Sequence, residues 1–110
     1  MADIGPTGFS ISSEDGEDGR LRFLVRGELD LATAPELEQT LVQAIEDGRE
    51  VVLDLRELEF MDSSGVRVLV IAHSRAEGRF GLIAAPPKSP VTKILAITGL
   101  EPELRFVDAP

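Results

Sequence analysis

The chain contains no cysteine and only one histidine, His73. Disulfides, thiolate metal sites and cysteine nucleophiles are therefore excluded, and a single imidazole cannot anchor a multi-histidine metal centre. Neither a metal nor another cofactor is expected. Long apolar runs are also missing: none approaches the roughly 20 residues that cross a bilayer. The opening Met1-Ala2-Asp3-Ile4-Gly5-Pro6-Thr7-Gly8 lacks the basic and apolar regions of a secretory leader. The expectation is a cytoplasmic protein that makes no contact with a membrane. Basic residues are scarce, with 11 Lys plus Arg against 20 Asp plus Glu and a formal net charge of −9. They form no stripe, which argues against direct nucleic-acid binding. An acidic balance suits a partner with a basic surface, and it equally suits solubility alone. No glycine-rich phosphate loop leads to a lysine, and no Gly-Xaa-Ser-Xaa-Gly elbow occurs.

What is present suits one compact domain, since 110 residues with 43% hydrophobic content can enclose a modest core. Residues 1–7 are expected to form a flexible tail and 8–108 the domain. Phe9–Ile11 and Leu21–Arg26 read as strands joined across Glu14–Gly19 in a hairpin, with Leu21, Phe23 and Val25 on one face. Thr33-Ala34-Pro35-Glu36 carries a capping-box signature, and Leu37, Leu41, Ala44 and Ile45 follow at helical spacing until Gly48. Val51–Leu55 reads as a central strand covered on both faces, with Asp54 its one polar residue. Val66–Ala72 is rich in β-branched residues, yet the Asp62 cap and the Gly78 stop favour a helix. Phe80–Ala85 reads as a strand, Ser89–Thr98 as a helix closed by Gly99, and Leu104–Val107 as a last strand. The order β-β-α-β-α-β-α-β predicts an α/β fold. Right-handed crossovers give it a mostly parallel sheet with an N-terminal hairpin at one edge and helices packed mainly on one side.

The strand at Val51 and the short loop Arg56–Met61 deliver two serines to the start of the next helix. Asp62 is a good N-cap, so Ser63 and Ser64 fall in the first turn, where unpaired backbone N–H groups and the helix dipole favour an added phosphate. Spacing alone leaves open whether Asp62, Ser63 and Ser64 do more than cap the helix. Gly65 permits close helix packing or a partner's approach.

The segment Phe60-Met61-Asp62-Ser63-Ser64-Gly65-Val66, the earlier Arg26-Gly27-Glu28-Leu29-Asp30 and the late Thr98-Gly99-Leu100 together resemble the anti-sigma factor antagonists, single-domain members of the STAS family. The resemblance runs from about Gly8 to Asp108. It implies a phosphorylatable switch whose unphosphorylated form binds an anti-sigma factor, often a serine kinase, and thereby frees a sigma factor. A serine phosphatase would reverse the modification. The acceptor carries over to Ser63, with Ser64 as second choice. Glu28, Leu29 and Asp30 are implied to join Asp62, Ser63, Ser64 and Gly65 in meeting the partner. Arg67 stands where many relatives carry glycine, four residues beyond Ser63 on the same helix face, where it serves either as a phosphate contact or as a solvated surface arginine.

Catalysis by the serine itself lacks a histidine within reach, and although a carboxylate such as Asp54 or Asp30 could lie closer, neither a nucleophile elbow nor a phosphate loop accompanies it. His73 lies ten residues along the same helix, about 15 Å away at 1.5 Å per residue. No catalytic residue is therefore assigned. The resemblance also admits an adaptor or scaffold subunit in a stress-signalling or lipid-transport complex, with no phosphate involved. The domain is expected to be a monomer or a weak dimer joined through its edge strands.

Overall fold

The computed structural model describes residues 8–110, and the tail anticipated over residues 1–7 lies outside them. Strands β1 (Ser10–Asp15) and β2 (Leu21–Leu29) form the hairpin, in antiparallel register from Ser10 opposite Arg26 to Asp15 opposite Leu21. Gly19, at φ 85°, supplies the left-handed residue of its turn. β2 also pairs in parallel with β3 (Val51–Asp54) over its first half and with β4 (Leu58–Met61) over its second. β3 in turn pairs in parallel with β5 (Phe80–Ile83), so the sheet order is β1-β2-β3-β5, with β4 beside β2. Helices α1 (Ala34–Glu46), α2 (Ser63–Ala76) and α3 (Pro90–Thr98) follow β2, β4 and β5.

The core is one-sided. Phe23, Val25, Leu53 and Leu82 meet the apolar stripes of α1 (Leu37, Leu41, Ile45) and α2 (Val66, Val68, Leu69, Ala72) in a single buried cluster. Val52 and Ile83 are buried as well but stand outside that cluster, as the two-residue alternation of strands requires. α1 and α2 also pack against each other, which leaves a groove between them on the solvent side. The expected α/β architecture, with its N-terminal hairpin and mostly parallel sheet, is what forms.

Several local details differ from the sequence reading. The segment before Asp62 is a strand, β4, rather than a loop. Leu58 and Met61 are buried while Glu59 and Phe60 are exposed, so the run shows no clean alternation to betray it. The capping box at Thr33 does not form: Thr33 has helical backbone angles and its side chain caps nothing. Its hydroxyl instead donates to the Glu28 carbonyl at 2.8 Å and accepts from the Asp30 N–H at 3.0 Å. The last strand, expected over Leu104–Val107, contracts to one bridge between Leu82 and Phe106, closed by hydrogen bonds of Leu82 with Arg105 and Val107 and preceded by a 3-10 turn at Glu101–Glu103. Val66–Ala72 does form helix, despite its β-branched residues.

Candidate functional site

β2 and β4 run parallel and end at the same edge of the sheet, so the turns that follow them are neighbours. Leu29 sits opposite Met61 in the register, and one residue on, the Asp62 N–H donates to the Leu29 carbonyl at 3.2 Å. This places Glu28, Leu29 and Asp30 beside the start of α2. Asp62 then leaves the strand in an extended conformation, and its carboxylate accepts from the Ser64 N–H at 2.8 Å. Its carbonyl accepts from the Gly65 and Val66 N–H groups at 3.0 and 3.1 Å. The result is an N-cap that holds Ser63 exposed at the first helical position and Ser64 half-buried beside it.

Gly65 is buried, and a Cβ built on it would lie 2.5 Å from Met61 Cγ and 2.8 Å from Leu29 Cδ2. The first turn of α2 therefore rests directly on the ends of β2 and β4. Gly65 and the fully buried Leu29 stand behind the surface and fix it. The exposed serine sits on a floor with no slack.

The β2–α1 turn is shaped from within. The Asp30 carboxylate accepts from the Ala32 and Thr33 N–H groups at 3.0 and 3.2 Å, and the buried Thr33 hydroxyl ties the turn back to Glu28. Asp30 is thereby committed to its own turn, and Glu28 remains half-buried. What the turn offers to solvent is Leu31, 78% exposed. Sequence reasoning did not single out this leucine, since nothing in its spacing marks an exposed apolar side chain.

Leu31, Pro35, Glu38, Ser64, Arg67 and Arg75 line the groove between α1 and α2. Across it the Arg67 guanidinium pairs with the Glu38 carboxylate at 3.2 Å. Arg75 pairs with Glu46 farther along at 3.5 Å. His73 lies on α2 with Ser63, at the opposite end of the helix.

A second charged cluster occupies the sheet face away from the helices. The Asp54 carboxylate, with none of its surface exposed, accepts from Arg22 at 2.9 Å and from the Arg56 guanidinium at 2.7 Å. The Arg56 N–H donates to it as well, at 3.0 Å, closing the turn between β3 and β4. Burial opposes ionisation of Asp54, yet the hydrogen bonds and charges of Arg56 and Arg22 outweigh it and hold the carboxyl below its ordinary range. The sequence marked Asp54 as an anomaly in a buried strand, but its partner Arg22 comes from a neighbouring strand and was not visible.

Comparison with known proteins places the chain among relatives. The family model described as "Mlab, STAS domain" matches residues 12–107. An anti-sigma-B factor antagonist of Listeria monocytogenes is 30% identical over 93 residues, 83% of this chain and 82% of the relative. The crystal structure of an anti-sigma factor antagonist from Mycobacterium paratuberculosis superposes with a TM-score of 0.83 at 27% identity, covering 97% of this chain and 92% of the other. The Bacillus cell fate determinant SpoIIAA in its phosphorylated form shares the fold, with a TM-score of 0.65 at 24% identity over 91% of each chain.

Proposed function

The chain belongs to the STAS domain family, and on that premise we propose that it is an anti-sigma factor antagonist switched by phosphorylation of Ser63. The observation that carries this reading is the exposed Ser63 hydroxyl on the first turn of α2, bonded through Asp62 to the end of β2. In the unphosphorylated state the Glu28–Asp30 turn, Leu31, Asp62, Ser63 and Ser64 present one continuous surface to an anti-sigma factor. Leu29 and Gly65 support it from beneath.

The same partner acts as serine kinase. The Ser63 oxygen attacks the γ-phosphorus of ATP held by the kinase, the bond to ADP breaks, and the hydroxyl proton passes to a base of the kinase. The antagonist supplies the acceptor and its placement, and its own residues catalyse nothing. A serine phosphatase hydrolyses the ester and restores binding. The cytoplasm, where ATP and sigma factors meet, is the compartment this cycle requires.

Phosphorylation adds a charge of about −1.5 to −2 beside Asp62 and near Glu28. The helix N-terminus accommodates the phosphate, so the fold survives, whereas an interface formed around a neutral hydroxyl must desolvate a dianion or lose its fit. A penalty of only about 3 kcal/mol lowers affinity more than a hundredfold.

Phosphosite mass spectrometry of the protein recovered from its own cells, in growth and under stress, tests this reading by resolving Ser63 from Ser64. Condition-dependent phosphate on Ser63 supports the switch. Phosphate on Ser64 alone moves the acceptor, and persistent absence of phosphate in every condition favours the adaptor reading.

A further inference from the structure

We propose that the ion pair between Arg67 and Glu38 is a latch that phosphorylation of Ser63 releases, with Arg67 leaving the carboxylate of α1 for the new phosphate. The inference rests on Ser63 as acceptor and adds a regulatory role for two residues of this chain.

Helix geometry sets the stage. Four residues of α2 carry Arg67 about 6 Å along the axis from Ser63 and only about 40° around it. Arg67 lines the groove together with Ser64 of the same first turn and Glu38 of α1, so its side chain lies on the side of α2 that faces the neighbouring helix. Among the described residues its guanidinium pairs with α1 alone, and the i, i+4 spacing is what puts the first turn of α2 within its reach. At present it is held by Glu38 at 3.2 Å, with 70% of the arginine side chain exposed, and ion pairs this open to water hold weakly. A phosphoserine dianion offers more charge and a matching fork of oxygens for bidentate hydrogen bonds.

The surrounding charges favour the exchange. The Asp62 carboxylate already receives the Ser64 N–H, and that of Asp30 receives the Ala32 and Thr33 N–H groups. Glu28 adds negative charge without a cation of its own among the hydrogen bonds of the turn. Arg75, the other cation of the groove, is held by Glu46. Arg67 is thus the cation poised to answer the phosphate, and its departure leaves Glu38 unpaired in the groove beside Leu31 and Pro35. The modification is thereby felt on α1, across the groove from the phosphorylated residue.

The test uses full-length protein with phosphoserine placed at position 63 by genetic encoding, so that no kinase is needed. Phosphorus NMR follows the second phosphate ionisation in the otherwise unaltered protein and in Arg67→Ala, Arg67→Lys and Glu38→Gln variants. Nitrogen-15 NMR follows the Arg67 and Arg75 side-chain N–H signals with and without phosphate. The latch predicts that Arg67→Ala raises the phosphate ionisation by about half a pH unit or more, that Glu38→Gln lowers it, and that Arg67→Lys falls between. It also predicts that the Arg67 signal moves on phosphorylation while that of Arg75 stays. Equal ionisation in the unaltered and Arg67→Ala proteins, with an unmoved Arg67 signal, overturns the latch. A protein that titrates as predicted, yet takes no phosphate on Ser63 in its own cells, retains the latch and loses the switch.

Discussion

Gly65→Ala tests the claim that the first turn of α2 rests on a floor without slack. Gly65 is not among the residues with positive φ, so an alanine there suffers no backbone strain, and helix propensity alone favours the change by up to about 1 kcal/mol. Packing opposes it. The added methyl would lie 2.5 Å from Met61 Cγ and 2.8 and 2.9 Å from Leu29 Cδ2 and Cγ. Carbon atoms settle at about 3.5–4.0 Å, so these neighbours must yield by roughly 1 Å. Both are buried within the core cluster, and overpacking of that kind costs about 1–3 kcal/mol. The net expectation is a loss of about 1–2 kcal/mol, read as a lower urea midpoint at unchanged slope. A second background makes the cause explicit. Leu29→Ala alone should cost about 2–5 kcal/mol, and within it the alanine at 65 should cost less than in the parent, because the two Leu29 contacts are gone and the unbranched Met61 side chain gains room to turn aside, giving a favourable coupling of about 1 kcal/mol. A Gly65→Ala protein as stable as the parent, or one equally penalised in both backgrounds, refutes the packing argument.

Replacing Asp54 by Asn should cost about 2 kcal/mol at neutral pH, because two arginines lose a buried charged acceptor. Since the Asp54 carboxyl ionises below its ordinary range when folded, its contribution is complete above that range and disappears as pH falls through its depressed native value. Urea titrations should therefore show the two proteins converging in acid, and a gap that widens there contradicts the assignment. Asp62→Ala should lose about 1 kcal/mol of stability with the cap on Ser64, whereas Asp62→Asn, which caps equally well, should lose almost none. Thermal melts of the pair that coincide would show that the cap contributes nothing. Leu31→Ser should leave stability within about 0.5 kcal/mol, since the side chain is exposed. Calorimetry with the purified anti-sigma factor of the same cells should show at least tenfold weaker binding by this variant, and unchanged affinity would remove Leu31 from the interface.

The parts of the fold that were legible in the sequence are those in which local signals agreed. Leu37, Leu41, Ala44 and Ile45 announced α1 by spacing, and the Asp62 cap outweighed the β-branched run Val66–Ile71 because an N-cap and a glycine stop bounded it on both sides. Where two local signals competed, the sequence misled. Asp30 and Thr33 are both capping residues, and the fold gives the turn's N–H groups to the Asp30 carboxylate, freeing the Thr33 hydroxyl to tie back to Glu28. β4 escaped notice because its exposed pair Glu59-Phe60 breaks the two-residue alternation. The candidate serine was legible through its motif, but its surroundings were not. Arg67 meets Glu38 across 29 residues, and Arg22 meets Asp54 across 32. Such contacts exist only once the strand register and helix docking are set.

That division has a consequence for how such a protein can switch without unfolding. The proposed acceptor stands on a turn whose position is determined by buried atoms, namely Leu29, Met61 and Gly65, together with one backbone hydrogen bond between the ends of two parallel strands. The side chains free to respond to a phosphate, Arg67 and its partner Glu38, lie on the solvent side of the helices and outside the core cluster. The buried charge of Asp54 and the half-buried one of Arg22 lie on the far face of the sheet. Charge added at Ser63 thus meets groups that can move without disturbing the core. Substitutions at Asp54 should change stability while leaving phosphate ionisation at position 63 unaltered, and substitutions at Arg67 should do the reverse. Additivity between the two sites, in both stability and phosphate titration, is the expected signature, because no shared partner joins them. Coupling beyond about 0.5 kcal/mol in the double variant would show that the sheet transmits what this arrangement keeps apart.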